Sequence, residues 1–160
     1  MKKKNVFLLV VLVMIFSVGF AQESKNIQDS LLSEVLSKFG SDYTEILQKN
    51  GKPIKEEEYL GPFDMKYKKV IYPGFQIDLE NGKQFVTLEL FDPKLELVSG
   101  ISTGIHINNV IKKLGINYSK SDNDTKYTYR KWPPFYRVIF YVDSNNKVIE
   151  IEFYNDTGLL

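Results

Sequence analysis

The sequence contains no cysteine, a single tryptophan and a single histidine. Without cysteine there are neither disulfides nor thiolate metal ligands, so stability must come from a hydrophobic core. The same absence removes the residue to which bacterial lipoproteins attach their lipid. Because His106 is the one histidine, sites built from several histidines are excluded, and any Ser–His pair would have to use it. We therefore expect no metal site and no cofactor.

The sequence also lacks an excess of positive charge, since 21 Lys and Arg residues face 20 Asp and Glu residues. Three of the lysines, at positions 2–4, belong to the N-terminal leader described next, so the rest of the chain is slightly acidic. Proteins that bind nucleic acid need a basic surface. No nucleic acid partner is expected, and the chain has no glycine-rich phosphate loop.

The first 21 residues have the three parts of a secretory signal peptide. Lysines 2–4 precede an apolar run from Val6 to Phe20, and Ala21 offers a cleavage site. A membrane anchor is the competing interpretation, but about 15 apolar residues fall short of the roughly 20 that span a bilayer. We predict removal of residues 1–21 and a mature protein, periplasmic or secreted, without a stable membrane anchor.

The clearest strand pattern runs from Phe135 to Tyr154. Apolar residues alternate with other side chains over 136–142 and again over 149–153, which is the period of strands with one buried face. The polar segment 143–147 between them predicts a β-hairpin with a loop of about five residues. An earlier hairpin is predicted at Asn81-Gly82, because this dipeptide favours tight turns between strands.

Three segments have the pattern of helices. Apolar residues spaced by three and four predict an amphipathic helix over Asn26 to Phe39. A shorter helix begins with Asp42 and Glu45, arranged as a capping box, and ends at Gly51. A third lies within 104–115. Segment 52–65 is interpreted as a connector whose charged residues form a solvated face.

The glycine-bounded helical segments 40–51 and 104–115 have equal length, and their glycines and apolar residues recur 64 positions apart. An internal duplication explains this recurrence, as does the periodicity shared by any two α+β units. The predicted fold class is α+β, with helices packed on one face of an antiparallel β-sheet in two tandem helix-plus-hairpin repeats. The predicted divisions are a signal peptide at 1–21, a first repeat at 22–94 and a second at 95–160.

Residues Gly104 to Gly115 read GIHINNVIKKLG, opening with a glycine and an apolar residue and ending in Leu-Gly. Together with the Tyr-rich hairpin that follows, this segment resembles the SmpA/OmlA-like and β-lactamase-inhibitor-like (BLIP-like) proteins. The likeness covers about 104–154, with a fainter echo over 40–90. It implies a tandem arrangement in which helices back an antiparallel sheet whose other face binds protein. His106 stands where that group usually has a capping hydroxyl.

Aromatic residues concentrate on and beside the strands of the C-terminal half. Alternation places Tyr141 on the face opposite Val138 and Phe140. Tyrosine and tryptophan interleaved with lysine and arginine are typical of protein-binding surfaces, although ordinary cross-strand stabilisation explains the same residues. The candidate binding residues are Tyr127, Tyr129, Arg130, Trp132, Phe135 and Tyr141.

Other chemistry-bearing residues have simpler explanations. Asp78, Glu80 and Glu89 could form a carboxylate pair, but alternating charges also fit the wet face of a hairpin. The segments 122–124 and 143–145 lack the glycine and distal glutamate of a calcium loop, which favours turns. The predicted function is a secreted or periplasmic, non-enzymatic module that binds an unknown protein partner. An envelope-assembly or structural role and a small carboxylate-dependent hydrolase are the alternatives.

Overall fold

The computed structural model describes residues 30–131 and 135–155. Its helices are α1 (residues 30–39), α2 (Tyr43–Asn50) and α3 (Ile107–Leu114), with a 3-10 turn at Pro62–Asp64. Its strands are β1 (Lys55–Leu60), β2 (Lys66–Tyr72), β3 (Phe75–Glu80), β4 (Gln84–Leu90), β5 (Glu96–Val98), β6 (Ile101–Ser102), β7 (Tyr118–Lys120), β8 (Lys126–Lys131), β9 (Tyr136–Val142) and β10 (Val148–Asn155). None of the helices in these ranges is long and apolar enough to cross a membrane.

Eight of these strands form one antiparallel sheet in the order β1-β2-β3-β4-β10-β9-β8-β7. Strands β1 to β4 are neighbours in chain order, as are β7 to β10, and the two sets meet where β4 pairs with β10. Strands β5 and β6 form a separate two-stranded ribbon. The sheet edges are therefore β1 and β7, and β4 and β10 lie at its centre.

The core lies between one side of the sheet and the three short helices. Val35 of α1, Ile46 of α2 and Val110 of α3 are fully buried. They belong to one hydrophobic cluster that includes Ile77 of β3 and Phe153 of β10. Burying a side chain of this size stabilises a fold by about 1.5–3 kcal/mol. This packing fixes which side of strands β2, β3, β4, β8, β9 and β10 faces inward.

The predicted fold class, α+β with helices on one face and two tandem helix-plus-hairpin repeats, is wrong. The described residues are 48% strand and 23% helix, and one eight-stranded sheet takes the place of separate hairpins. Part of the error lies at 55–60, which was expected to be a connector but forms edge strand β1. Every residue of β1 is exposed, so no buried face imposes a period of two on its sequence.

Both predicted hairpins are confirmed. Residues 143–147 join β9 to β10, and residues 81–83 join β3 to β4. Asn81 and Gly82 have positive φ values of 50° and 66°, the left-handed conformation that tight hairpin turns require and that these two residues adopt readily. The Asp143 carboxylate accepts hydrogen bonds from two backbone amides of its own loop, which fixes the turn at 143–147.

The predicted capping residues begin helices α2 and α3. The Asp42 carboxylate accepts a hydrogen bond from the Glu45 amide at 3.0 Å, and the Glu45 carboxylate accepts one from the Ser41 amide at 3.0 Å. His106, which stands where the resembled proteins usually have a capping hydroxyl, is the N-cap of α3, and its Nδ1 accepts a hydrogen bond from the Asn108 amide at 3.2 Å. Helix initiation therefore accounts for the single histidine.

Candidate functional site: the open face of the sheet

The side of the sheet that points away from the helices is called the open face here. On β3, Ile77 lies in the core, so Asp78 points to the other side. On β4 the same alternation places Leu88 in the core and Glu89 on the open face. Ile139 of β9 is also buried on this side, yet it lies outside the core cluster. Neighbouring side chains of the open face therefore cover one another.

Four carboxylates come together on β3, β4 and β10, which are adjacent strands. We call Asp78, Glu89, Glu150 and Glu152 the carboxylate cluster. Glu89 and Glu152 are direct partners in the register of β4 and β10. Two like charges placed directly opposite each other on one face destabilise a sheet. Pairing of the two halves of the sheet therefore imposes an unfavourable contact at its centre.

Neutral donors surround this glutamate pair. The hydroxyls of Tyr141 and Tyr154 both donate to Glu152 Oε2, at 2.9 and 3.0 Å. The Gln76 side-chain amide donates to Glu89 Oε2. Such donors stabilise ionised carboxylates but add no positive charge. Both glutamates are thus hydrogen-bonded while the repulsion between them remains.

One lysine pairs with the cluster. Lys69 Nζ lies 3.9 Å from Asp78 Oδ2 and 3.8 Å from Glu89 Oε1. Within 30–131 and 135–155, the ion pairs of the cluster all involve this lysine. One ammonium group shared between two of four carboxylates leaves the cluster acidic.

Asp78 is the most buried member of the cluster, with 8% of its surface exposed. Burial raises the pKa of its carboxyl, and nearby Glu89 raises it further, although Lys69 and a hydrogen bond from Tyr59 act in the opposite direction. Its Oδ1 atom is buried without a hydrogen-bond partner. Burial also raises the pKa of Glu150, as do the neighbouring glutamates. The cluster therefore has an unsatisfied acceptor at its buried end.

Tyrosine rings border the cluster on the β9 side. Burial is the main cause that raises the pKa of Tyr141 to about 12, and the hydrogen bond to Glu152 adds to it. The hydroxyl is therefore protonated at neutral pH and acts as a hydrogen-bond donor. Lys126 Nζ lies 5.4 Å from the centre of the Tyr141 ring, and the Arg137 guanidinium carbon lies 4.2 Å from that of Tyr154. These distances are those of cation–π contacts. The rings beside the cluster therefore already contact cations.

Two of the six candidate binding residues lie on the helix side. Tyr127 and Tyr129 share a face of β8, but they are only 4% and 3% exposed and belong to the core cluster. The Tyr129 hydroxyl donates to the Gly115 carbonyl at 3.0 Å, and its ring packs edge-on against Phe140 at 5.8 Å. In this conformation both tyrosines are core residues and are not accessible to a partner.

The other candidates lie elsewhere. Arg130 is exposed and Tyr141 is half-buried, and both are on the open face. Phe135 is half-buried in the turn before β9. Trp132 lies outside the described residues. The structure therefore brings Arg130 and Tyr141 to one surface and separates them from Tyr127 and Tyr129, while a binding role for the whole set stays a prediction.

The two calcium-like segments form turns. The Asn123 side-chain oxygen accepts from the hydroxyls of Ser121 and Thr125, both at 2.8 Å, and Lys120 pairs with Asp124 at 2.9 Å. In the part of the chain that the structure describes, no group of three His, Cys, Asp or Glu residues is placed to hold a metal ion. The turn interpretation explains these residues locally.

A cleft of about 620 Å³ lies at the β1 end of the sheet, lined by residues of β1, β2 and the β3–β4 turn. Two of the lining residues, Tyr59 and Tyr67, stack their rings with centroids 5.5 Å apart. A Cβ at Gly61 would lie 2.3 Å from the Tyr67 ring, so glycine permits this stacking. The cleft is not lined by Asp78 or Glu89, and the carboxylate cluster lies outside it.

Sequence reasoning named Asp78, Glu80 and Glu89 as possible members of a carboxylate pair but missed Glu150 and Glu152. The alternation of glutamates along β10 was visible and indicated a common face. Glu89 and Glu152 are 63 positions apart in the chain, and no local pattern indicates that β4 pairs with β10. The cluster is therefore a product of tertiary structure.

Neither a protein-family model nor a curated protein matches this sequence. Among solved structures, the chain is similar to an extracellular protein containing a SCP domain from Bacillus anthracis, with a TM-score of 0.59 and 17% identity over 78% of this chain and 46% of that one. It is also similar to a cysteine-rich secretory protein from Staphylococcus aureus, with a TM-score of 0.56 and 18% identity over 77% of this chain and 45% of that one.

This chain spans less than half the length of those two proteins, and at such identities the likeness shows the fold alone. A DUF4309 family protein (YjgB) from Bacillus subtilis aligns over 84% of this chain and 97% of its own, with 11% identity and a TM-score of 0.48. The resemblance to SmpA/OmlA-like and β-lactamase-inhibitor-like proteins stays a prediction.

Proposed function

We propose that this chain is an exported, non-enzymatic module that binds a protein partner through the open face of its sheet. The supporting observation is that buried residues of all three helices join the core on one side of the sheet, while tyrosines and charged side chains occupy the other. Tyrosine and arginine are enriched at protein interfaces. Tyr141, Tyr154, Arg130 and Arg137 supply both types on this face.

Export is supported by the N-terminal sequence and by the descriptions of the two similar structures, one called extracellular and the other secretory. Cleavage after Ala21 releases the mature chain into the periplasm or the medium. Mass spectrometry of the protein recovered from each cell fraction tests this proposal. We expect a form that begins at Gln22, and recovery of the uncleaved chain in membranes would contradict it.

Site-specific photo-crosslinking tests the binding surface. A benzoylphenylalanine at position 130 replaces an exposed residue of the open face, and one at position 112 replaces exposed Lys112 of α3 as the matched control. Irradiation is carried out in cells that export each variant. Position 130 is expected to yield a discrete crosslinked protein that position 112 does not yield.

The same crosslinking experiment can also contradict the proposal. A product formed at position 112 and missing at position 130 would move the interface to the helix side and contradict the proposal. Mass spectrometry of the crosslinked peptide identifies the residue of the partner that lies against β8. Circular dichroism of both purified variants establishes that each retains the strand content of the unmodified chain.

A further inference from the structure

The charges of the open face are arranged in bands. The central strands β3, β4 and β10 present the carboxylate cluster, and the cations that face it come from the flanks. Lys69 reaches it from β2. From the other flank, the Arg137 guanidinium lies over the Tyr154 ring and Lys126 lies over that of Tyr141. The centre of the face is therefore acidic, with tyrosine rings and cations along its sides.

The cluster combines two unfavourable features. Glu89 and Glu152 oppose each other directly across β4 and β10. Asp78 is more than nine-tenths buried, and its Oδ1 atom has no hydrogen-bond partner. Buried polar atoms are nearly always satisfied, so an exception calls for an explanation such as a missing ligand. A cationic group placed beside the two glutamates would reduce the repulsion between them, and its charge would also lower the cost of the buried Asp78 carboxylate.

The side chains in and around the carboxylate cluster favour an organic cation as its ligand. A guanidinium or ammonium group donates several hydrogen bonds, which suits the two facing glutamates. The Tyr141 and Tyr154 rings beside the cluster are of the kind that contact such cations, as they already do with Lys126 and Arg137.

We infer that the carboxylate cluster is the anchor subsite for a lysine or arginine side chain, and that the protein partner presents a basic segment to the open face. This inference rests on the proposed function and adds the chemistry of the partner to it. Charge complementarity with the central strands sets the register of the basic segment, and the flanking tyrosines contact the methylene chains of its lysine or arginine side chains.

Fluorescence anisotropy with a fluorescein-labelled dodecapeptide of alternating arginine and serine tests the inference on the mature chain. The test variant is Glu89→Gln with Glu152→Gln. The control is Glu58→Gln with Glu96→Gln, two exposed residues away from the cluster. Both variants lose two negative charges, so they differ only in where the charge is lost. We expect at least tenfold weaker binding by the test variant and less than twofold weaker binding by the control.

A second variant keeps the test decisive if the double variant does not fold. Asp78→Asn removes the charge of the buried member alone and is expected to weaken peptide binding at least threefold. Equal weakening in the cluster and control variants would show attraction by net charge only and would overturn the inference. Displacement of the peptide by an uncharged chito-oligosaccharide, but not by free arginine, would overturn it in favour of a sugar site.

The two proposals fail separately. If the benzoylphenylalanine at position 130 captures a partner while peptide binding ignores the cluster, the open face is the interface but its anchor is not cationic. If the peptide binds through the cluster and no protein is captured at position 130, the chemistry of the subsite stands and the proposed function does not.

Discussion

Asp78→Asn is expected to make the free protein more stable at neutral pH. The substitution preserves the shape of the side chain and removes a negative charge that is almost entirely buried. Burial and the proximity of Glu89 raise the pKa of this carboxyl, which means that the fold favours its neutral form. Asparagine resembles that neutral form.

Two opposing effects set the magnitude. An incompletely paired buried charge costs about 1–3 kcal/mol, and the substitution removes the part of this cost that comes from the ionised form, although the amide keeps a polar atom at the position of Oδ1. The substitution also weakens the contact with Lys69, whose Nζ is 3.9 Å from Asp78 Oδ2, and a partly exposed ion pair of this kind contributes at most about 1 kcal/mol. The net expectation is a gain of about 1 kcal/mol in the free energy of unfolding, or roughly 4 °C in Tm.

The pH dependence separates this explanation from a general effect on packing. Because the folded pKa lies above the ordinary value of 3.8, the folded state holds this proton more tightly than the unfolded state. The stability associated with the protonated carboxyl is complete below 3.8 and is lost as pH rises through the folded pKa. The advantage of Asp78→Asn should therefore be absent at acid pH and reach its full value at pH 7.

Urea denaturation of both proteins from pH 3 to pH 7 measures this difference, with Glu96→Gln as an exposed control. The control is expected to change the free energy of unfolding by less than about 0.5 kcal/mol. An Asp78→Asn protein that is no more stable than the wild type at pH 7 would refute the reasoning. So would a gain of equal size at pH 3.

Four further substitutions test the fold by urea denaturation. Gly40→Ala should destabilise by about 3 kcal/mol, because φ is +105° and a Cβ would lie 2.6 Å from the Ile46 amide nitrogen. Gly51→Ala, at φ +77° with open space around it, should cost only about 1 kcal/mol. Tyr129→Phe removes the hydrogen bond to the Gly115 carbonyl and should lower the free energy of unfolding by about 1 kcal/mol. Asp42→Ala should cost about 1 kcal/mol as the N-cap of α2 is lost. Equal losses for both glycines, or none for the other two, would contradict these contacts.

Local features of the fold were predictable because a few neighbouring residues determine them. The turn at 81–83 follows from Asn-Gly, and the start of α2 follows from Asp42 with Glu45. The loop 143–147 was placed correctly because polar residues interrupt a period of two. Such patterns act within a turn of helix or a single hairpin.

Alternation along a strand assigns residues to two faces but does not say which face the helices cover. The period of two puts Tyr127 and Tyr129 on one face of β8, but it does not reveal that this face is the core. Edge strand β1 escaped detection because an exposed strand has no buried side to impose a pattern. The predicted repeats were wrong because strands β1–β4 and β7–β10 pair into one sheet within the described residues.

The sequence by itself determined the hairpins, the helix caps and the absence of cysteine chemistry, since these depend on residue types and short spacings. Only the tertiary structure brought Glu89 beside Glu152 and left an oxygen of Asp78 buried without a partner. The physical reason is that pairing of β4 with β10 is decided by burial of the whole core. Packing of the whole core therefore brings together two negative charges from strands that are distant in the sequence.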